Sequence, residues 1–149
     1  GFLMSPAGIR AKPAGVDQNI SAQKDLFTIP RQPSRNYRSW YVLASLHGVC
    51  VDILLDSGCT NSCIPEKIYH KIPGNRRPAL KPLNVKVSGF DGGKQPVLGI
   101  GDFILHLTGA TIKLELIVVK DLVHPLLGID FMSKFQVQFD WVNHQIICN

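Results

Sequence analysis

Residues 51–65 read V-D-I-L-L-D-S-G-C-T-N-S-C-I-P, an aliphatic and β-branched run that ends on an acid. Such a run favours a buried strand, and the Ser57-Gly58 pair after it favours a tight turn. We therefore expect the carboxylate of Asp56 at the end of a buried strand. Ionised groups are seldom found there unless they are paired, bound to a metal or used in chemistry. Asp56 is thus the first candidate for a functional residue.

The residues before Asp56 place an apolar side chain at every second position, which is the two-residue period of strands. Residues 40–46 and 49–55 flank His47-Gly48, and this arrangement predicts a β-hairpin that leads into Asp56.

A second hairpin is predicted from residues 85–88 and 95–98. Its tip, residues 89–93, contains three glycines, which supply positive φ angles and allow close backbone approach. A tip of this composition is typical of a lid over a binding site, and an ordinary flexible turn has the same composition.

The remainder of the chain predicts further strands and little helix. Two strands are expected at residues 100–107 and 112–119, and a terminal hairpin at 135–139 and 145–148. Short helices are expected from Glu66 to Ile72 and from Asp130 to Lys134. The sum is an all-β domain of about seven or eight strands, in the size range of a small closed or folded-over sheet, with one or two short helices.

The chain of 149 residues, 45% of them hydrophobic, suits one domain. Residues 1–36 contain Pro, Gly and an excess of basic side chains, so we expect a flexible N-terminal extension followed by a domain at 37–149. An alternative is that the segment from Asp25 to Ile29 adds a strand to a sheet edge or lies in a groove.

The net charge of +5 permits an anionic partner, but neither an aromatic platform nor a recognition helix accompanies it. Nucleic-acid binding is therefore not favoured. No segment resembles a signal peptide or a membrane span, and no membrane partner is expected.

The four cysteines are expected to be reduced thiols, because their spacing is not that of a small disulfide-rich scaffold. No C-x2-C pair is present, which disfavours a zinc site. We expect neither a metal nor another cofactor.

Several kinds of chemistry fit the Asp56 segment poorly. Ser57 lacks the G-x-S-x-G setting of a nucleophile, and Cys59 has no assignable base. A glycosidase would need a second carboxylate, for which Asp52 and Asp91 stay open. The remaining option is that Asp56 meets a second copy of itself, since two adjacent carboxylates share a proton and can activate a water molecule.

The Asp56 segment, the glycine-rich hairpin and the sequence L-L-G-I-D at 126–130 together resemble the retropepsin-type aspartic proteases. The run L-L-G-I-D-F-M, followed by a short strand, a turn and a last strand, is most similar to proteases of gypsy-type LTR retrotransposons or a domesticated descendant. The resemblance spans Tyr37 to Cys148. It implies a small closed retropepsin-like barrel with a flap hairpin.

The resemblance also implies roles for the residues of the central motif. Asp56 would be the catalytic aspartate and would share the lytic water with the same residue of a second chain. Ser57 would brace the two turns across the twofold axis. Gly58 would offer its carbonyl to the peptide substrate. The residues implied in substrate binding are Cys59, Thr60 and Asn61 in the cleft, Gly89, Phe90, Asp91, Gly92 and Gly93 in the flap tip, and Leu126 at a side-chain subsite.

The implied function is that of an aspartic endopeptidase, active as a homodimer, that processes a polyprotein and cleaves peptide bonds, its own included. Its expected location is the cytoplasm or the virus-like particles of a retroelement. The alternative is a catalytically inactive module of the same fold that dimerises or binds peptides. Cys59 departs from the small residues such as Ala that are usual at this position, and its thiol would make the cleft sensitive to oxidation.

Overall fold

The computed structural model describes residues 26–33, 38–84, 86–88 and 94–149. Within these ranges the chain forms ten strands and two short helices. In chain order they are β1 (Phe27–Gln32), β2 (Trp40–Leu46), β3 (Val49–Leu55), β4 (Cys63–Pro65), α1 (Glu66–Lys71), β5 (Lys86–Ser88), β6 (Lys94–Leu107), β7 (Ala110–Val119), β8 (Leu126–Leu127), α2 (Ile129–Lys134), β9 (Gln138–Asp140) and β10 (Gln145–Cys148).

The strands form a closed, mixed barrel, which confirms the predicted all-β class. The hydrogen-bonded order runs β6-β7-β4-β8-β3-β2, and β2 pairs again with β6 to close the ring. Two pairings are parallel, β3 with β8 and β4 with β7, and the others in the ring are antiparallel. Closure removes the exposed strand edges that a small open sheet would present.

The β2–β3 hairpin forms where the alternating pattern predicts it. Its turn is His47-Gly48, and both residues have positive φ, 47° and 94°, as the tight hairpin turn requires. The inward side chains of β2 include Trp40 and Val42, which are buried, while the side chains between them are partly or fully exposed. Trp40 lies opposite Leu55, so the hairpin delivers the chain directly to Asp56.

The predicted strands at 95–98 and 100–107 are one long strand, β6. The interruption at Gly99 is a register shift between Val97 and Gly99 and not a turn. A Cβ at Gly99 would lie 2.6 Å from the carbonyl oxygen of Lys81, so the glycine allows this close backbone approach. Sequence reasoning took the glycine for the end of a strand.

The N-terminal part of the folded domain differs from the predicted boundary at residue 37. Strand β1 pairs with β10 and with β2, and Ile29 is fully buried. The alternative of an added strand therefore agrees with the structure from Phe27 onward. Pro30 is typical of a linker, so the composition of this segment predicts one. The pairing of the segment with the last strand of the chain cannot be recognised from the local sequence. Residues 1–25 and 34–36 of the predicted extension lie outside the described residues.

The helices lie within one residue of their predicted positions, but the terminal hairpin is shorter than predicted. Phe135 caps α2, with its N–H donating to the carbonyl of Phe131, and Gln136 has a φ of 45°. The chain therefore reaches strand geometry only at Gln138. Among the described residues, neither helix is long and apolar enough to cross a membrane.

The buried side chains form a large cluster inside the barrel and a smaller one beside the Asp56 turn. The smaller cluster comprises Leu54, Cys59, Cys63, Ile117, Val119 and Leu126. It packs the turn against the end of the barrel, so the position of Asp56 depends on hydrophobic packing as well as on hydrogen bonds.

Candidate active site

Asp56 lies directly after β3, where the neighbouring strand β8 fixes its backbone. Its N–H donates to the carbonyl of Leu127 over 2.9 Å, and its own carbonyl accepts from the N–H of Cys59 over 3.1 Å. The carboxylate is half-buried, and its Oδ1 accepts from the N–H of Gly58 over 2.9 Å. The turn thus holds the acid in one orientation at the end of a buried strand, as the sequence predicts.

A second turn, at Gly128, packs directly behind the Asp56 turn. A Cβ at Gly128 would lie 2.4 Å from the carbonyl oxygen of Cys59 and 3.2 Å from the carbonyl carbon of Asn61. Only a residue without a side chain leaves this space open. The same carbonyl of Cys59 accepts from the N–H of Ile129 over 2.8 Å, so the two turns are hydrogen-bonded where they touch.

Ser62 and Asp130 join the two turns through their side chains. The hydroxyl of Ser62 donates to Oδ1 of Asp130 over 2.7 Å, and the N–H of Ser62 donates to Oδ2 over 3.0 Å. The hydroxyl oxygen also accepts from the N–H of Gly128 over 3.0 Å. Ser62 is fully buried, so the loss of these bonds would leave its polar groups unsatisfied.

Sequence reasoning missed this Ser62–Asp130 pair. The sequence assigns Ser62 no role, and it places Asp130 in the L-L-G-I-D motif and at the start of a short helix. The one available signal was a small polar residue directly before the apolar Cys63-Ile64 pair, where a buried hydroxyl would need a partner. Its partner lies 68 residues away and cannot be identified by spacing.

The thiols of Cys59 and Cys63 lie together beneath the turn. Each sulfur lies within hydrogen-bonding distance of the carbonyl oxygen of Asn61, at 2.9 and 3.2 Å. A hydrogen bond from Cys63 lowers the pKa of the Cys59 thiol below its ordinary value, and that bond together with burial raises the pKa of Cys63 far above it. Both cysteines are free thiols, as expected from their spacing.

Some of the other residues predicted for catalysis or substrate binding lie on the surface, and others are buried. Ser57, Gly58, Thr60 and Asn61 are exposed around the half-buried Asp56. Cys59 and Leu126 are 7% and 2% exposed and belong to the small cluster beside the turn. Cys59 therefore contributes mainly packing in this chain, and the substrate contacts of all these residues stay predictions.

The predicted flap tip lies outside the described residues: Gly89, Phe90, Asp91, Gly92 and Gly93. The strands on either side of it pair as a hairpin, with Ser88 opposite Lys94 and Lys86 opposite Pro96. Within the described residues, no group of three or more His, Cys, Asp or Glu side chains is placed to hold a metal ion.

The sequence matches no protein-family model and no curated protein. Solved structures do match. EIAV protease, complexed with the inhibitor HBY-793, has a TM-score of 0.56 at 17% identity, over 69% of this chain and 93% of that one. The retroviral protease-like domain of Ddi1 from Leishmania major has a TM-score of 0.59 at 20% identity, over 73% and 86% of the two chains. The chain has a retropepsin-like fold.

A third match, a retropepsin-like aspartic protease from Rickettsia conorii, has a TM-score of 0.53 at 17% identity over 84% of this chain and 90% of that one. At these identities the likeness establishes the retropepsin-like fold and no particular branch of it. The chemistry of this chain has to be argued from its own residues.

Proposed function

We propose that this chain is an aspartic endopeptidase whose active site is completed by a second copy of itself. The observation that carries the proposal is the position of the Asp56 carboxylate. It lies directly after β3 of a retropepsin-like fold and accepts a hydrogen bond from the N–H of Gly58. Such a fixed, half-buried acid next to exposed backbone is what a hydrolytic site requires, and one acid alone is half of an aspartic protease pair.

Two other carboxylates of the described residues, those of Asp52 and Asp130, are not placed to complete the pair. Asp52 lies four residues earlier on β3, which separates it from Asp56 by roughly 13 Å along the strand. Asp130 is engaged by Ser62 behind the turn. A glycosidase pair drawn from Asp52 is therefore too widely spaced. The second carboxylate of the proposed site is Asp56 of the partner subunit.

The proposed mechanism follows from placing two carboxylates about 3 Å apart. Two such groups cannot both ionise, so the pair holds one proton. The ionised carboxylate takes a proton from a water molecule while the water oxygen attacks the peptide carbonyl carbon. The protonated carboxyl group of the pair gives its proton to the carbonyl oxygen. The pair then gives a proton to the nitrogen of the scissile bond and takes one from a hydroxyl of the tetrahedral intermediate as the C–N bond breaks. The amine and the new carboxyl group leave, and the pair again holds one proton.

The exposed neighbours of Asp56 have proposed roles in the same site. Ser57 braces the partner's turn across the twofold axis, and the carbonyl of Gly58 accepts a hydrogen bond from the substrate backbone. Hydrophobic side chains on either side of the scissile bond are the proposed preference, as the resemblance to the retropepsin-type proteases implies. The run from Leu126 to Met132 supports an origin in a gypsy-type retroelement, with polyprotein processing in the cytoplasm or in virus-like particles as the biological role.

The proposal predicts that specific activity depends on protein concentration. Cleavage of a peptide with a hydrophobic scissile pair is expected to fall on dilution from micromolar to nanomolar protein, because the half-sites separate as the dimer dissociates. Activity is expected to be highest at mildly acidic pH, where the pair retains its proton. The measurement is the initial rate per chain, with sedimentation equilibrium at the same concentrations. Cleavage by a species of one chain's mass would contradict the proposal, and a dimer that cleaves nothing would favour the inactive module.

A further inference from the structure

Two of the four thiols lie side by side beneath the Asp56 turn. The sulfurs of Cys59 and Cys63 are within hydrogen-bonding distance of one acceptor, the carbonyl oxygen of Asn61, at 2.9 and 3.2 Å. Two sulfurs that approach the same oxygen atom are also neighbours of each other. Both side chains belong to the small apolar cluster beside the turn, so packing holds the two sulfurs in this arrangement.

The other two cysteines lie in different surroundings. Cys50 is exposed on β3, and Cys148 is buried on β10. Burial raises the pKa of the Cys148 thiol to about 11, which is the ordinary behaviour of a thiol in an apolar core. The pKa of Cys59 is shifted in the opposite direction, because the neighbouring Cys63 thiol gives a hydrogen bond to its sulfur. Cys59 therefore differs from a thiol that only fills space.

Access from the solvent differs between the two residues of the pair. Cys59 is 7% exposed and stands between the exposed residues Gly58 and Thr60, whereas Cys63 is fully buried. A small oxidant such as hydrogen peroxide therefore reaches Cys59 first. The sulfur of Cys63 is then placed to react with the oxidised sulfur of Cys59 from inside the cluster.

We infer that Cys59 and Cys63 form a reversible disulfide that switches the Asp56 site off when peroxide is present. The Cys59 thiolate attacks one oxygen of hydrogen peroxide, the O–O bond breaks, and a sulfenic acid and hydroxide result. The sulfur of Cys63 then attacks the sulfur of Cys59. An S–S bond forms, the S–O bond breaks, and the leaving hydroxide takes the Cys63 proton. In total, two thiols and one peroxide give one disulfide and two water molecules.

The backbone of Cys59 connects the disulfide to Asp56. Its N–H donates to the carbonyl of Asp56 over 3.1 Å, and its carbonyl accepts from the N–H of Ile129 over 2.8 Å. An S–S bond of about 2.05 Å is much shorter than a contact between unbonded sulfurs, so its formation draws Cys59 toward Cys63. The hydrogen bond from Cys59 passes this shift to Asp56.

The effect on cleavage rests on the proposed function, because it requires that Asp56 is catalytic. A displacement of reacting groups by about 1 Å costs roughly a hundredfold in rate. We expect the disulfide to lower kcat/KM at least about tenfold. Dithiothreitol is expected to restore cleavage, since a dithiol reduces the disulfide to two thiols and is itself oxidised to a cyclic disulfide.

The test treats the reduced wild-type protein with hydrogen peroxide, removes the peroxide with catalase, and counts thiols by alkylation after unfolding. The reduced chain has four thiols. We expect two of them to be lost and the mass of the chain to fall by about 2 Da, since a disulfide forms with the loss of two hydrogens. The value of kcat/KM is measured on the same samples before and after dithiothreitol.

Cys50→Ser is the matched control, because it removes an exposed thiol outside the pair. It is expected to lose two thiols and to lose cleavage as the wild type does. Cys63→Ser retains Cys59 without its partner, so it is expected to form no disulfide and to gain about 16 Da as the sulfenic acid. Cys59→Ser, at the less buried position, is a second variant that cannot form the disulfide. Thermal unfolding verifies that each variant folds.

The outcomes separate the inference from the proposed function. A protein that cleaves but keeps its four thiols, or that loses thiols only when Cys50 is present, would overturn the inference and leave the protease intact. The same holds if the disulfide forms and kcat/KM does not change. A reduced wild type that cleaves nothing would overturn the proposed function. The loss of two thiols would still support the disulfide in that case, because the thiol count requires no cleavage.

Discussion

Replacing Asp56 by Asn is expected to abolish peptide cleavage, with kcat/KM at least about a thousandfold lower than that of the wild type. An amide cannot take a proton from water, and a pair of amides holds no exchangeable acid for the carbonyl oxygen. The fold is expected to be retained, because the side-chain oxygen of Asn can still accept from the N–H of Gly58. The loss therefore reports chemistry and not unfolding.

Asp52→Asn is the matched control for this substitution. Asp52 lies on β3, the strand that leads to Asp56, is exposed, and loses the same charge when it is changed. Its variant is expected to cleave at the wild-type rate, since surface substitutions without special contacts have small effects. An Asp56→Asn variant with the same kcat/KM as the wild type would contradict a catalytic role of Asp56. A loss in Asp52→Asn as large as in Asp56→Asn would point to a site that uses both acids of one chain.

Replacing Gly128 by Ala is expected to destabilise the chain by about 3 kcal/mol, the upper end of the usual cost of overpacking. The added Cβ would lie 2.4 Å from the carbonyl oxygen of Cys59, which is backbone and cannot rotate away. Relief requires the two turns to separate, and this breaks the hydrogen bond from Ile129 to Cys59. The urea midpoint is expected to fall by about 1.5 M, given a typical slope for a domain of this size.

Gly74→Ala is the control for the loss of a glycine. Nothing lies within 4 Å of a Cβ at Gly74, so its urea midpoint is expected to be unchanged or slightly higher. A Gly128→Ala variant as stable as Gly74→Ala would show that the two turns do not pack as described. A stable variant with reduced cleavage would show instead that the turns shift without unfolding.

The sequence predicts the elements that depend on local pattern. The β2–β3 hairpin follows from alternation around His47-Gly48, and the two helices follow from short periodic segments between breakers. The position of Asp56 at a strand end follows from the same alternation. These features require only contacts between residues that are close in the chain.

The features that sequence reasoning missed depend on distant contacts. Strand β1 is a strand because β10 and β2 pair with it, although Pro30 suggests a linker. Strands β4 and β8 have three and two residues, too few to show any period. The Ser62–Asp130 pair joins two turns that are remote in sequence. Each of these is set by contacts with residues that are distant in the sequence and not by the local residues.

The most direct test of the shared active site is the stoichiometry of a tight inhibitor that mimics the tetrahedral intermediate. A pepstatin-type peptide bears a hydroxyl that replaces the attacking water between the two carboxylates. Calorimetric titration at a concentration where the protein is dimeric is expected to saturate at one inhibitor for every two chains, because one site is built from two Asp56 turns. Saturation at one inhibitor per chain, with binding retained by Asp56→Asn, would contradict the account.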